Sequence, residues 1–331
     1  MKGLGKLFAS IALAASFAGA STVHSLAQEQ WTAYSHLSSA NTTAAKALQH
    51  IADDFAAATN GQIVTQVNVG GQLPIASNAV TQAVGDGVIQ LADNGYYSGD
   101  IPIGGILGLP LLVSTPAEYD AALKVWTPHL ATEFDKRGVV LLAAYTFPSQ
   151  VLFSTKEITA LDGYVGLKVR PSSPEQAEFI RRFGGVPIST NSSEIASALQ
   201  TGTIDALFTA SSSGGTTYKD LWKYNYRLGL NYFVSLFVVN KDTFEGLSQE
   251  HQTALKDIAQ RRAAEASQIM SESEGAATQA LAAAGVTVSE PSADDSAKAV
   301  QTISSFWDDW GKSQSAETQA VLAEVRAAIG K

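Results

Sequence analysis

The chain has 331 residues, a net charge of −9 and no cysteine. That length suits two domains or one large one, and 45% hydrophobic residues with 8% aromatics suffice for a core, which excludes a disordered chain. Zero cysteine excludes disulfide frameworks, cysteine-ligated zinc, iron–sulfur clusters and thiol nucleophiles, and the acidic balance argues against nucleic acid, which recruits basic stripes.

Lys2 and Lys6 precede an apolar run of 14 residues, 7–20, and Ser25-Leu26-Ala27 puts small residues at the −3 and −1 positions of a cleavage site. This is the pattern of an export signal, and the run falls short of the roughly 20 residues that cross a bilayer. Residues 1–27 are therefore expected to be a signal peptide. Cleavage removes Lys2 and Lys6 and no acidic residue, so the exported chain carries −11. A periplasmic location is expected, and the absence of cysteine fits it. Two later uncharged stretches, 101–117 and 138–155, are interrupted by proline and polar residues and do not read as membrane spans.

Residues 31–37 read as a first strand. Residues 43–59 carry Ala44, Leu48, Ile51, Ala52, Phe55 and Ala58 at helical spacing, closed by Asn60-Gly61. A half-buried strand at 63–69, a helix at 75–84 and a short strand at 88–92 follow, then a loop over 94–108 rich in Gly, Tyr and Pro. The pattern predicts a helix over 116–137 with a kink or break at Pro128, and a buried strand at 139–145. In the second half, strands are expected at 151–154, 167–170, 186–188, 204–208, 232–240 and 286–288. Helices are expected at 173–183, 192–200, 293–310 and 315–329, and a Ser/Gly/Thr loop at 211–217. This alternation predicts an α/β fold with mostly parallel sheets. Residues 248–285 read as one helix, far longer than the mean of about 11–12 residues. Its apolar residues are mostly Ala, a thin stripe that suits a helix spanning two lobes.

His36, His50, His129 and His251 lack HxxxH, HExxH or HxH spacing, so no metal site is expected. There is no G-x-S-x-G, S-x-x-K, P-loop or G-x-G-x-x-G motif, and Asp53-Asp54, Asp294-Asp295 and Asp308-Asp309 fall in helical segments where solvated faces are the default. No cofactor and no catalytic residue is expected. The chain reads as a binding protein and not an enzyme, with a secreted hydrolase as the rival class. Ligands of α/β folds sit beyond the carboxyl ends of strands. Arg170 ends the predicted strand 167–170, just before Pro171. A guanidinium there either grips a carboxylate by two parallel hydrogen bonds or sits at the surface in an ion pair.

Gly166-Leu167-Lys168-Val169-Arg170 resembles the G-x-K-[IVL]-R signature of the solute-binding proteins of TRAP transporters, the DctP-type family. Phe183-Gly184-Gly185-Val186-Pro187 resembles the step that follows it. Glu194, Ala198, Leu199, Gln200, Gly202 and Asp205-Ala206 resemble E-x-x-x-A-L-Q-x-G-x-x-D-[GA]. Phe55, Thr59-Asn60-Gly61, Gly71-Gln72-Leu73 and Val239-Asn240 with Phe244 and Leu247 keep the family's order, so the resemblance covers nearly the whole exported chain.

The resemblance implies a two-lobed periplasmic binding protein fold around a ligand cleft. Residues 28–147 with 232–270 would form lobe I, and 148–231 with 271–331 lobe II, with helix 248–285 spanning both. It implies that Arg170 grips a ligand carboxylate. Gln150 stands where the family often has a second Arg, Ser192 where it often has an aromatic, and Thr209 where it often has Asn. Losing a cation implies one carboxylate and a neutral remainder, with Gln150 and Thr209 as neutral hydrogen-bond partners. Lys168, on the same strand face as Arg170, is the nearest other cation in sequence. Tyr96, Tyr97 and Trp222, with Tyr145, are candidates to wall an apolar or aromatic body, or are core. The partners implied are a small organic acid and TRAP membrane permease subunits, for a monomeric receptor. The alternative is the same module feeding a sensor.

Overall fold

The computed structural model describes residues 28–331; the expected signal peptide, 1–27, lies outside the described residues. The chain runs β1 (Glu29–Ser35), α1 (Thr43–Ala58), β2 (Ile63–Asn68), α2 (Val80–Gly85), β3 (Leu91–Asn94), α3 (Pro116–Asp135) and β4 (Val139–Ser149). It continues as β5 (Val151–Ser154), β6 (Lys168–Arg170), α4 (Pro174–Arg182), β7 (Val186–Pro187), α5 (Ile195–Gln200), β8 (Ala206–Thr209) and β9 (Tyr224–Tyr226). Last come β10 (Tyr232–Asn240), α6 (Lys241–Glu245), α7 (Gln249–Ala283), β11 (Thr287–Ser289), α8 (Ala293–Ser313) and α9 (Ala316–Ala328).

The strands form two sheets, ordered β2-β1-β3-β10-β4 and β11-β9-β5-β8-β6-β7. In the first, β1 lies parallel to β2 and β3, while β10 runs antiparallel to β3 and β4. In the second, β5 runs antiparallel to β8 and β9, and the remaining pairs are parallel. The sheets are thus mixed, where strand–helix alternation predicted mostly parallel ones. The reason lies in two crossings. β4 passes from the first sheet into β5 of the second through Gln150 alone, and β9 returns through residues 227–231 to β10. A chain that crosses and comes back without a helical connection pairs antiparallel. β10 is buried along most of its length, as a sheet strand covered on both faces requires.

α3 begins with a capping box between Thr115 and Glu118 and continues through Pro128 without the break expected there. A proline inside a helix costs about 3 kcal/mol. The buried row Trp126, Leu130 and Phe134, one turn apart on either side of Pro128, offsets it.

α7 is 35 residues long, with Ser248 as its N-cap. At 1.5 Å per residue it spans roughly 52 Å. Its Leu255, Ile258, Ala259, Ala263, Ala266 and Met270 share a core with Trp31, Phe55 and Phe237 of the first sheet's side. Leu281 packs instead with Val151, Phe153 and Trp222 on the second sheet's side. Between these regions the Glu274 carboxylate accepts hydrogen bonds from the backbone N–H groups of Ser211 and Ser212, at 3.0 and 2.8 Å, and pairs with Arg227 at 3.5 Å. The C-terminal helices divide. Arg182 of α4 donates to Thr302 O of α8, whereas Val321, Leu322 and Val325 of α9 pack in the cluster that holds Trp126, Leu130 and Phe134 of α3. Residues 271–331 therefore do not sit wholly with the second sheet, because α9 buries its apolar stripe on α3.

Glu274→Ala should destabilise the protein by about 1–3 kcal/mol, since it strips two part-buried backbone donors of their acceptor. Urea unfolding of the variant against wild type measures this; a loss below about 0.5 kcal/mol would show that water replaces the carboxylate fully.

Candidate functional site

A cavity of about 70 Å³ lies between the two sheets. Strand ends build it. His36 follows β1, Tyr96 follows β3, Arg170 ends β6 and Thr209 ends β8. Gln150 lines it from the crossing between β4 and β5. Phe147 of β4 and Phe233 of β10 form an apolar wall, with Ile195, Leu207 and Phe208 opposite from the second sheet's side. Ser38, Ser39, Thr42, Ser213 and Thr217 add hydroxyls.

Arg170 is 4% exposed. Its Nε donates to Thr190 O at 3.3 Å and its Nη1 to Ser172 Oγ at 3.1 Å; neither bond uses Nη2. The guanidinium carbon stands 4.9 Å from the centroid of the Tyr96 ring, a cation–π distance. No carboxylate of the described residues forms an ion pair with it. A buried cation whose protein partners are all neutral leaves a site for an anion.

His36 Nδ1 lies 3.2 Å from Asp93 O and 3.4 Å from Asp93 Oδ2. Burial pushes the imidazole pKa down, but the Asp93 carboxylate outweighs it and raises the value to about 9. Burial likewise pushes the Asp93 carboxyl up, and the charge of His36 outweighs that, with Tyr145 and Ser235 donating to the same carboxylate, so Asp93 is held below its usual range. Burial would raise the Tyr96 phenol, yet the charges of Arg170 and His36 lower it. Among the described residues no three His, Asp or Glu side chains gather where a metal ion would bind, and no helix is long and apolar enough to cross a membrane.

Five of the residues singled out in the sequence, Arg170, Gln150, Thr209, Ser192 and Tyr96, line this one cavity. The Gln150 amide nitrogen donates to Pro148 O at 2.9 Å, leaving its oxygen free of that bond. Thr209 Oγ1 accepts from Gly214 N at 3.0 Å, leaving its own O–H to donate. Ser192 Oγ bonds Tyr96 Oη at 3.3 Å and Ser77 Oγ at 3.2 Å. Tyr97 and Trp222 do not line the cavity. Adjacent to Tyr96, Tyr97 points the other way, donates to Val234 O and packs on Trp126 and Phe134. Trp222 donates to Gly214 O and packs on Phe153 and Tyr218 behind the wall. Tyr145 is also core, stacked on Phe237. Lys168 does not line the cavity either; its ammonium donates to Gly202 O, and alternation along a three-residue strand does not fix where a long side chain ends.

Sequence reading passed over His36, Phe147 and Phe233. The position of His36, just past the carboxyl end of the first strand, was the available signal.

The family model of the bacterial extracellular solute-binding proteins, family 7 (DctP), matches residues 34–314. The ectoine-binding periplasmic protein TeaA of Halomonas elongata is 26% identical over 199 residues, covering 55% of this chain and 56% of that protein. The C4-dicarboxylate-binding periplasmic protein DctP of Rhodobacter capsulatus is 26% identical over 205 residues, covering 61% of each. The matches thus span little more than half the length of these relatives. The crystal structure of DctP7, a Bordetella pertussis extracytoplasmic solute receptor binding pyroglutamic acid, superposes with a TM-score of 0.83 at 26% identity, over 90% of this chain and 99% of that one.

The His36–Asp93 pair makes stability depend on pH from both sides. The raised pKa of His36 contributes stability that is whole below about 6.5 and lost as pH rises through about 9. The lowered pKa of Asp93 contributes stability that is whole above 3.8 and lost as pH falls through its depressed value. Unfolding free energy should therefore decline from pH 6.5 to pH 9 in wild type and decline less in His36→Gln, which cannot titrate; parallel profiles would contradict the pairing.

Proposed function

The chain belongs to the bacterial extracellular solute-binding proteins of family 7, and on that footing we propose that it is a periplasmic receptor that captures a small organic acid by Arg170 and delivers it to the membrane permease of a TRAP transporter. One observation carries this reading: the guanidinium of Arg170 is buried in the cavity with no carboxylate partner among the described residues. A carboxylate fits that fork by two parallel N–H···O bonds.

The remainder of the cavity favours a ligand with one carboxylate. Phe147, Phe233, Ile195, Leu207 and Phe208 suit an apolar body, and Gln150, Thr209 and Ser192 supply neutral hydrogen bonds. A second carboxylate would need a second uncompensated cation, and Lys168 is engaged elsewhere. Burying it unpaired costs several kcal/mol. DctP7 supports this choice, since pyroglutamate carries one carboxylate on a neutral ring. The family to which the chain belongs is one of solute-binding receptors.

Capture works by closure. The ligand touches residues from both sheets, so it stabilises the arrangement in which they approach each other. The Ser77–Ser192 hydrogen bond joins the two sides at the cavity rim. α7, packed on both sides, and the crossing at Gln150 are the elements that bend or turn as they part.

A thermal-shift screen of organic acids on the exported chain tests the class, because a ligand at 100 times its Kd adds about 2.7 kcal/mol of stability. For the best acid, Arg170→Ala should cost about 2–5 kcal/mol of binding by calorimetry. Arg170→Lys should also weaken it, since a lysine lacks the fork. Near wild-type affinity in Arg170→Ala would remove the assignment.

Matched titrations address the ligand's charge. A cyclic monocarboxylate should bind more tightly than a C4-dicarboxylate, followed by tryptophan fluorescence. The opposite order would place another cation in the site.

A further inference from the structure

The cavity wall holds a polar atom that the Arg170 contact leaves unexplained. His36 is 1% exposed and lines the cavity, and its Nε2 has no hydrogen-bond partner. Its other nitrogen is committed: Nδ1 faces the backbone oxygen and the carboxylate of Asp93, so Nδ1 carries a proton. Asp93 is tied in turn by Ser35 Oγ at 2.7 Å, Tyr145 Oη at 2.5 Å and Ser235 Oγ at 2.7 Å. An anion held by that many donors keeps its charge and its place.

The fold also keeps room for this ring. A Cβ on residue 95 would stand 2.7 Å from His36 Cε1 and 2.8 Å from Nε2, so only glycine lets the imidazole stay at the wall. The Tyr96 ring lies 5.0 Å from the imidazole and 4.9 Å from the Arg170 guanidinium. Two nitrogen donors therefore flank one aromatic ring.

We propose that His36 is a second ligand contact and a specificity determinant: as an imidazolium it donates its Nε2–H to a carbonyl or hydroxyl oxygen of the acid whose carboxylate Arg170 holds. This rests on the Arg170 reading and narrows it. His36 and Asp93 are neutral as a pair, so the pair adds a donor without calling for a second negative charge. The ligand class becomes a monocarboxylate bearing a keto, hydroxy or lactam oxygen, preferred over the plain hydrocarbon acid of the same shape. The preference has a pH limit. When the imidazole loses its proton, Nδ1 keeps its hydrogen for Asp93 and Nε2 becomes an acceptor, which repels a keto or lactam oxygen, whereas a hydroxyl turns to donate to it. The groups facing His36 are Asp93 and Tyr96, with Arg170 beyond the Tyr96 ring and Tyr145 and Ser235 on the far side of Asp93. Of these, the Tyr96 phenol, despite its burial, is itself lowered from its usual value by the charges of Arg170 and His36, so it is the group to separate from His36.

Two measurements test the proposal. Nitrogen-15 spectra of the histidine-labelled protein near neutral pH should show both ring nitrogens of His36 protonated; a neutral imidazole there overturns it. Calorimetry should compare L-pyroglutamate with cyclopentanecarboxylate, and L-lactate with propionate. The preference for the oxygen-bearing acid should fall about tenfold in His36→Phe and return in His36→Gln, whose amide nitrogen reaches the same place. In wild type the preference for pyroglutamate over cyclopentanecarboxylate should fall as pH rises through about 9, and that step should persist in Tyr96→Phe and vanish in His36→Gln. An unchanged preference in a folded His36→Phe variant overturns the role of His36 while leaving Arg170 as the anchor. Wild type that binds none of the four acids at millimolar concentration overturns the Arg170 reading and this inference together.

Discussion

Taking a guanidinium out of water costs several kcal/mol unless an anion or enough hydrogen bonds go with it. Arg170 is nearly fully buried, accepted only by a carbonyl and a hydroxyl, and stacked against one phenol. A structural arginine in such a place would have a carboxylate beside it. Arg182, on the next helix, has Glu178, and Arg227 has Glu274 and Glu290. Among the described residues Arg170 has no such partner, and on this the proposal that the cavity takes an anion rests.

The architecture serves that charge in two ways. Strand ends from both sheets converge on it, so a molecule held there would touch both sides at once. The elements that pass between the two sides include the crossing at Gln150, the return through residues 227–231, α7, and α8 leading to α9. In the proposed receptor, ligand contacts with both sides would set the balance between open and closed. The buried His36–Asp93 pair stiffens the first sheet's side of the cavity, through hydroxyls from β1, β4 and β10 that all end on one carboxylate.

Much of the fold was legible because local periodicity and packing agree. β10 has the predicted limits, residues 232–240, and α7, Gln249–Ala283, fills nearly all of the expected 248–285 as one helix. β9 was not legible: Tyr224–Tyr226 is three residues whose pairing partners, β5 and β11, lie far away in sequence. The span of α3 was legible, but not that it runs unbroken through Pro128, since the packing that offsets the proline comes from other elements. At the cavity, Arg170, Gln150, Thr209, Ser192 and Tyr96 come together because strand ends and family motifs mark positions along the chain. Tyr96 and Tyr97 are neighbours with opposite fates, which only the local backbone decides. His36 carried no spacing motif, and its character depends on Asp93, 57 residues away.

The most direct measurement is a crystal structure of residues 28–331 with a bound organic acid from the thermal-shift screen. The account predicts the ligand in the cavity between the sheets, its carboxylate within about 3 Å of the Arg170 guanidinium nitrogens in a two-pronged contact. A ligand whose carboxylate meets another group, with Arg170 more than about 5 Å away from it, would contradict the account at its centre.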